Sequence, residues 1–184
     1  MTRHETEQAN REAERLLIEL GQGTESAMEG LYSLISAPVY SYALSVLADH
    51  ADAEDVLHDT VVRVYTHAAR YRPDGKPFAW VIRIAKNLCV DKLRERKRCI
   101  PDEPALAELA LPASAEAEDR LTLESFLSEL TPDEREIIVL HDISGFKFRE
   151  IAKALGIPPP TAMTRYRRGM IKLKKKFGEG GEAG

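Results

Sequence analysis

From Ser26 to Arg98 apolar residues return every third or fourth position in three successive runs, and that spacing dictates helix rather than strand. The first run, Ser26 to Leu47, carries Leu31, Leu34, Ile35, Val39, Tyr42, Ala43, Val46 and Leu47, with Pro38 as a candidate kink. The second, Asp52 to Tyr71, carries Ala53, Val56, Leu57, Thr60, Val61, Val64, Tyr65 and Ala68. Asp52 is expected to cap it, and Glu54 and Asp55 suit the positive end of the helix dipole. Arg72-Pro73-Asp74-Gly75-Lys76 reads as a turn, and Pro77 suits the first position of a third helix. That helix sends Phe78, Val81, Ile82, Ala85, Leu88, Cys89 and Leu93 to a core and ends in the basic run Arg94 to Arg98.

The remaining chain follows the same logic. Residues 1–23 form a polar lead-in with a short helix expected around Ala13 to Leu20. Pro101, Pro104 and Pro112 break up residues 99–119, which read as an acidic linker. A second block, residues 120–177, contains Thr131-Pro132-Asp133-Glu134, a capping-box signature with Pro at the first helical position. A helix with Ile137, Ile138, Val139 and Leu140 follows, stopping near Gly145. Another is expected from Phe148 to Leu155, then a turn at Gly156 and a last helix from about Pro160 to Phe177, with residues 178–184 as a flexible tail. The expected fold is all-α: two small helical domains, residues 24–98 and 120–177, joined by the linker.

Charge is sorted along this framework. The net charge of −4 argues against nucleic-acid binding only as an average. Thr161 to Phe177 holds seven Lys or Arg and no acid, and Lys92 to Arg98 holds five bases against one acid. Asp49 to Asp59 holds five acids and no base, and Ile100 to Asp119 holds six acids and no base. Two cationic surfaces for phosphate, apart from acidic surfaces for something else, account for that pattern. It implies that the two basic helices lie on separate bodies while the acidic helix grips a protein; one merged core would run against it.

A short helix, a Gly turn and a basic second helix make a helix-turn-helix, whose second helix enters the major groove. Thr161, Ala162, Thr164 and Arg165 would face base edges, with Arg167, Arg168, Lys172 and Lys174 to Lys176 on phosphates. The third helix sets Tyr71, Phe78 and Trp80 beside Arg83, Lys86, Lys92 and Arg94. Such a mix suits unpaired bases, although helical spacing explains Phe78 and Trp80 equally well as core. The acids Asp52, Glu54, Asp55 and Asp59 have no convergent pocket, so they form either a solvated helix start or a protein-binding face. Cys89 and Cys99 belong to no metal-ligand spacing and read as unpaired thiols. No cofactor or metal is expected. The polar N-terminus lacks a signal-peptide pattern and no apolar run is expected to span a bilayer, so a cytoplasmic protein without membrane insertion is expected.

These pieces, in this order, resemble the extracytoplasmic-function group of RNA polymerase sigma factors, in the sigma-70 superfamily. "ADAEDVLHDTVVRVYTHAARYRP" (51–73) and "FAWVIRIAKNLCVDKLRERKR" (78–98) look like the family's region 2; "LSELTPDEREIIVLHDISGFKFREIAKALGI" (127–157) with "TAMTRYRRGMIKL" (161–173) looks like region 4. The resemblance implies a non-catalytic subunit that binds core polymerase through the β′ clamp helices and the β subunit, recognises promoter DNA and helps melt it. It assigns Asp52, Asp55, Asp59, Val62 and Arg63 to the polymerase. It assigns Tyr71, Asp74, Lys76, Trp80, Arg83, Asn87, Lys92 and Arg94 to the −10 element, with the 72–76 turn and Asn87 holding a flipped-out base. It assigns Thr161, Thr164, Arg165, Arg167, Arg168 and Lys172 to the −35 element. It also implies that the linker threads a basic channel of the core enzyme and that an anti-sigma protein holds the chain inactive.

Two departures bear on these roles. His58-Asp59 stands where the family has a Gln-Glu pair. Pro158-Pro159-Pro160 and Met163 replace a small residue before the recognition helix and a Lys within it, so either an atypical −35 sequence or a weaker contact is expected. The competing class is a dimeric helix-turn-helix regulator on a palindromic operator, which leaves the acidic linker and the basic third helix unexplained. An enzyme acting on nucleic acid would need a phosphate loop, nucleophile or metal set that the sequence does not display.

Overall fold

The computed structural model describes residues 3–99 and 129–180. Residues 100–119 of the linker expected at 99–119, the restart near Arg120 and the last residues of the tail, 181–184, lie outside them. Every regular element among the described residues is helical: α1 (Arg3–Gly21), α2 (Ala27–Leu47), α3 (His50–His67), α4 (Pro77–Cys99), α5 (Pro132–Ile138), α6 (Phe148–Leu155) and α7 (Pro159–Gly180). A 3-10 turn, Ala68–Arg70, extends α3, and a π turn, Val139–Ile143, extends α5.

The first expected helix is much longer than the sequence pattern around Ala13 to Leu20 foretold. Ala13, Leu16, Leu17 and Leu20 are buried at i, i+3, i+4 and i+7, and they seat α1 on α2. Burying each Leu removes enough apolar surface to contribute about 1.5–3 kcal/mol, which a polar helix of this length needs in order to persist. Gly21 ends α1 against the 3-10 turn: a Cβ there would stand 2.9 Å from the Ala68 carbonyl oxygen.

Helix α2 is the central post, burying Leu31, Ile35, Val39, Tyr42, Ala43 and Leu47. Contrary to the expectation that no apolar run reaches bilayer length, α2 is long and apolar enough to cross a membrane by length and composition. Here those same residues line the core between α1, α3 and α4. Pro38 is accommodated within an unbroken helix. The N-cap of α3 is Asp49, not Asp52: Asp49 Oδ1 accepts the Asp52 N–H at 2.9 Å, because the helix begins at His50.

The capping box expected at Thr131 is present, with Glu134 accepting the Thr131 N–H at 2.9 Å and donating its own N–H to Thr131 Oγ1. Gly156 takes φ +71° to close α6, as a helix-turn-helix requires. At the α5–α7 crossing Gly169 lets the helices approach: a Cβ there would meet Ile138 Cδ1 at 2.6 Å.

The two blocks are not held apart. One cluster of buried residues runs from Ala13 on α1 through Val81 and Ile82 on α4 to Phe146, Ile151 and Ala162. Helix α6 packs directly on α4, with Phe78 and Phe146 ring centroids 5.1 Å apart. The expectation of separate cores under the two basic helices therefore fails in this structure. The physical reason is that α6 is too short to bury its apolar face on α7 alone and covers the inner face of α4 as well.

Candidate nucleic-acid and polymerase interfaces

The acidic helix divides into two parts. Asp55, Asp59, Val62 and Arg63 point outward, with Val62 47% exposed. Asp52 turns inward. Its carboxylate accepts Lys92 Nζ at 2.8 Å and also pairs with Arg96. Burial alone would raise the Asp52 carboxyl, but the Lys92 and Arg96 hydrogen bonds outweigh it and hold the group below the usual carboxylate range. Asp55, 67% exposed, shares Lys92 at 2.8 Å. Tyr65 extends the outward face at i+3 from Val62, half exposed and donating to Glu25 at 3.0 Å. Periodicity had assigned it to the core; it sits at the margin of the apolar stripe, where spacing cannot tell inside from outside.

Of the residues expected at the −10 element, Arg83, Asn87 and Arg94 lie exposed along one face of α4, with half-buried Trp80 at its head. Arg94 keeps a loose contact to Asp91 at 3.6 Å. Lys92 is turned to α3, as above. Phe78 is core, and Trp80 meets the edge of Tyr71 at 5.3 Å. Tyr71 is buried, and its hydroxyl donates to Glu14 at 3.0 Å. Burial, strengthened by Glu14, pushes the phenol well above its usual range, so it remains a donor. The turn itself is an Asx turn: Asp74 Oδ1 accepts the Lys76 N–H at 3.1 Å, and Gly75 takes φ +71°.

The second block leans on this same turn. Lys153 of α6 pairs with Asp74, and Lys86 of α4 donates to the Leu155 carbonyl. Helix α1 reaches across as well, with Asn10 Nδ2 to Glu150 at 2.8 Å and Lys147 to Glu7 at 2.8 Å. Sequence reading had no signal for these contacts, since they join residues up to 140 positions apart.

On α7 the basic row also divides. Arg165 pairs with Asp133 at 2.8 Å and Lys172 with Glu134 at 2.7 Å, fastening α7 to α5. Thr164, Arg167 and Arg168 are exposed, and no carboxylate pairs with either arginine among the described residues. Thr161 is half-buried; Thr164 returns its hydroxyl to the Pro160 carbonyl at 2.9 Å. Met163 is 55% exposed in the first turns. The N–H groups of Thr161 and Ala162 are both taken by the Pro158 carbonyl, at 3.0 and 3.2 Å. Because Pro158, Pro159 and Pro160 have none, the start of α7 offers no orphan donor to a phosphate.

A helical lobe with an outward acidic and apolar face, a basic helix that starts from an aromatic-flanked turn, and a helix-turn-helix define a DNA-binding transcription factor. Comparison with known proteins narrows the class. Residues 31–99 match sigma-70 region 2 and residues 120–173 match sigma-70 region 4. The chain is 33% identical to the RNA polymerase sigma factor CarQ of Myxococcus xanthus, over 85% of this chain and 92% of that one. It is 27% identical to the ECF sigma factor SigW of Bacillus subtilis, over 85% and 91%. Among solved structures it resembles CnrH in complex with the cytosolic domain of CnrY, with TM-score 0.70, 25% identity and 91% and 98% coverage. It also resembles the sigma factor RpoE of Bartonella quintana in complex with the anti-sigma factor NepR, with TM-score 0.71, 25% identity and 80% and 94% coverage. The chain belongs to the extracytoplasmic-function group of sigma-70 RNA polymerase sigma factors. It is a transcription initiation factor of a non-enzymatic family that recognises promoter DNA with RNA polymerase.

Proposed function

We propose a division of labour among its residues. Asp55, Asp59, Val62 and Arg63 contact the β′ clamp helices, with Asp52 holding α3 in place rather than touching the polymerase. Trp80, Arg83, Asn87 and Arg94, with the Tyr71–Lys76 turn, read and hold the opened −10 element. Arg167, Arg168 and Thr164 meet the −35 duplex, while Arg165 and Lys172 brace α7. Residues 24–98 and 120–177 act as the two recognition units in this reading, and the chain works in the cytoplasm.

The observation that carries the reading is the outward row Arg83, Asn87 and Arg94 on α4, on a different helix from the outward row Asp55, Asp59 and Val62 on α3. A cationic row suits phosphate and unpaired bases, and an acidic and apolar row suits a protein surface. That solved relatives are complexes with CnrY and NepR supports an anti-sigma protein as a further partner of this chain.

The test is transcription in vitro with core polymerase on a genomic promoter library. Asp55→Ala should reduce holoenzyme assembly, and Arg167→Ala should weaken promoter binding at every −35 sequence while leaving assembly intact. A chain that never assembles with core, yet protects a palindromic duplex as a dimer, would refute the proposal.

A further inference from the structure

Glu14 lies in the segment that the sequence reads as a lead-in, far along the chain from every expected site residue. Its Oε1 accepts two hydrogen bonds, from Tyr71 Oη at 3.0 Å and from the Gly75 N–H at 2.8 Å. These donors stand at the two ends of the turn. One carboxylate oxygen therefore closes the turn across its mouth, while Asp74 closes it from within.

We infer that Glu14 is a positioning residue for promoter opening, bracing the Tyr71–Lys76 turn in the shape that receives an extruded base. The inference rests on the −10 role proposed above for that turn.

Three features support it. First, the brace is rigid. Glu14 stands between Ala13 and the Leu16–Leu17 pair, all buried against the core, so its backbone cannot drift from the turn. Second, the brace leads to the reading face. The Tyr71 ring that Glu14 anchors meets Trp80 edge-on at 63° and 5.3 Å, at the head of the Arg83, Asn87 and Arg94 row. Third, the turn needs bracing. Its Pro, Asp and Gly residues have no helical or sheet hydrogen bonds, and Gly75 at φ +71° is free to leave that conformation. Extruding a base sacrifices its stacking, so a receptor that must first order itself binds more weakly. A charged acceptor is about twice as effective as a neutral one in holding two donors. A carboxylate repels DNA phosphate, so Glu14 acts through the turn and not by touching the strand.

The experiment uses holoenzyme assembled from core polymerase and the full chain, as wild type, Glu14→Ala and Glu14→Gln. The probe is a single-stranded oligonucleotide carrying the −10 sequence of a promoter found in the transcription assay. An abasic site is stepped through it one position at a time. Wild type should lose affinity about 10-fold or more when the extruded base is removed. Glu14→Ala should bind the intact strand about 5–10-fold more weakly, yet bind that abasic strand as well as wild type does. Glu14→Gln keeps an acceptor oxygen and should recover most of the loss, with core affinity and thermal midpoint near wild type. Equal weakening on intact and abasic strands, or a loss confined to core assembly, would show a merely structural role and overturn the inference. If wild type ignores the abasic site at every position, the turn holds no base, and the failure belongs to the −10 reading beneath it.

Discussion

Lys92 Nζ stands 2.8 Å from Asp52 Oδ1, tying the basic helix to the acidic helix at their most charged points. Both side chains are about three-quarters buried, so the pair is only weakly screened. Asp52→Asn should destabilise the chain by about 1–3 kcal/mol in urea titrations at neutral pH. Because the folded carboxyl sits below its usual range, the contribution is present above that range and disappears as pH falls through the folded value. Wild type and variant should therefore converge in strong acid. Asp55→Ala, at an exposed position on the same lysine, should cost little stability and show its effect in polymerase assembly instead.

That pair also marks the limit of what could be read from the chain. Helix spans, the capping box at Thr131, the turn at Asp74-Gly75 and the helix-turn-helix are local, written in spacing and in residues with strong backbone preferences. Charge runs are local too, but their partners are not. Lys92 and Arg165 carry the right sign for DNA, yet each faces a carboxylate that only the folded packing brings near. The depth of α1, the seat of α6 on α4 and the reach of Glu14 to Gly75 are long-range matters, set by which apolar face finds cover.

The proline-blocked start of α7 makes a prediction about salt. With the Thr161 and Ala162 N–H groups occupied by Pro158, phosphate contacts fall to side chains. Arg167→Ala and Arg168→Ala should each weaken holoenzyme binding to −35 duplex about equally across sequences. Each should reduce the slope of log affinity against log salt by about one. Arg165→Ala should lower that slope less, because its charge is already shared with Asp133.

The seating of α6 on α4 can be probed by charge. Lys153 pairs with Asp74 of the 72–76 turn, and Lys86 reaches the Leu155 carbonyl. Lys153→Glu puts like charges face to face and should loosen this contact. Small-angle scattering of the free chain should then give a larger radius of gyration. Hydrogen exchange should speed up in α6, while the α2–α3 core, which shares no residue with the contact, should keep its protection.

At Gly21 the backbone of the 3-10 turn leaves no room for a side chain, since a Cβ would lie 2.9 Å from the Ala68 carbonyl oxygen and 3.3 Å from the Ala69 Cα. Neither atom belongs to a flexible side chain that could swing away. Gly21→Ala should therefore destabilise the protein by about 1–3 kcal/mol, read as a lowered urea midpoint, even though alanine is the better helix former.

Glu136 sits where the two blocks meet, and its carboxyl is pushed above the usual range by burial. Tyr42 of α2 donates to it at 3.3 Å, and Lys86 and Cys89 face it from α4. Asp133 stands beside it on α5 and Arg165 faces it from α7. Lys86, Tyr42 and Arg165 favour its ionised form, Asp133 opposes it, and burial outweighs them. The same burial, with Glu136 nearby, pushes the Cys89 thiol up to about 12, so the thiol stays protonated inside the seam. A folded pKa above the unfolded value means that the folded state holds more protons between the two. The contribution of Glu136 is then fully present below its unfolded pKa and is lost as pH rises through its folded value. Glu136→Gln keeps an acceptor for the Tyr42 hydroxyl and removes the charge. It should raise the thermal midpoint at neutral pH and flatten the pH dependence just above the ordinary carboxylate range. A midpoint that falls on this substitution at neutral pH would mean that Lys86 and Arg165 hold the group charged after all.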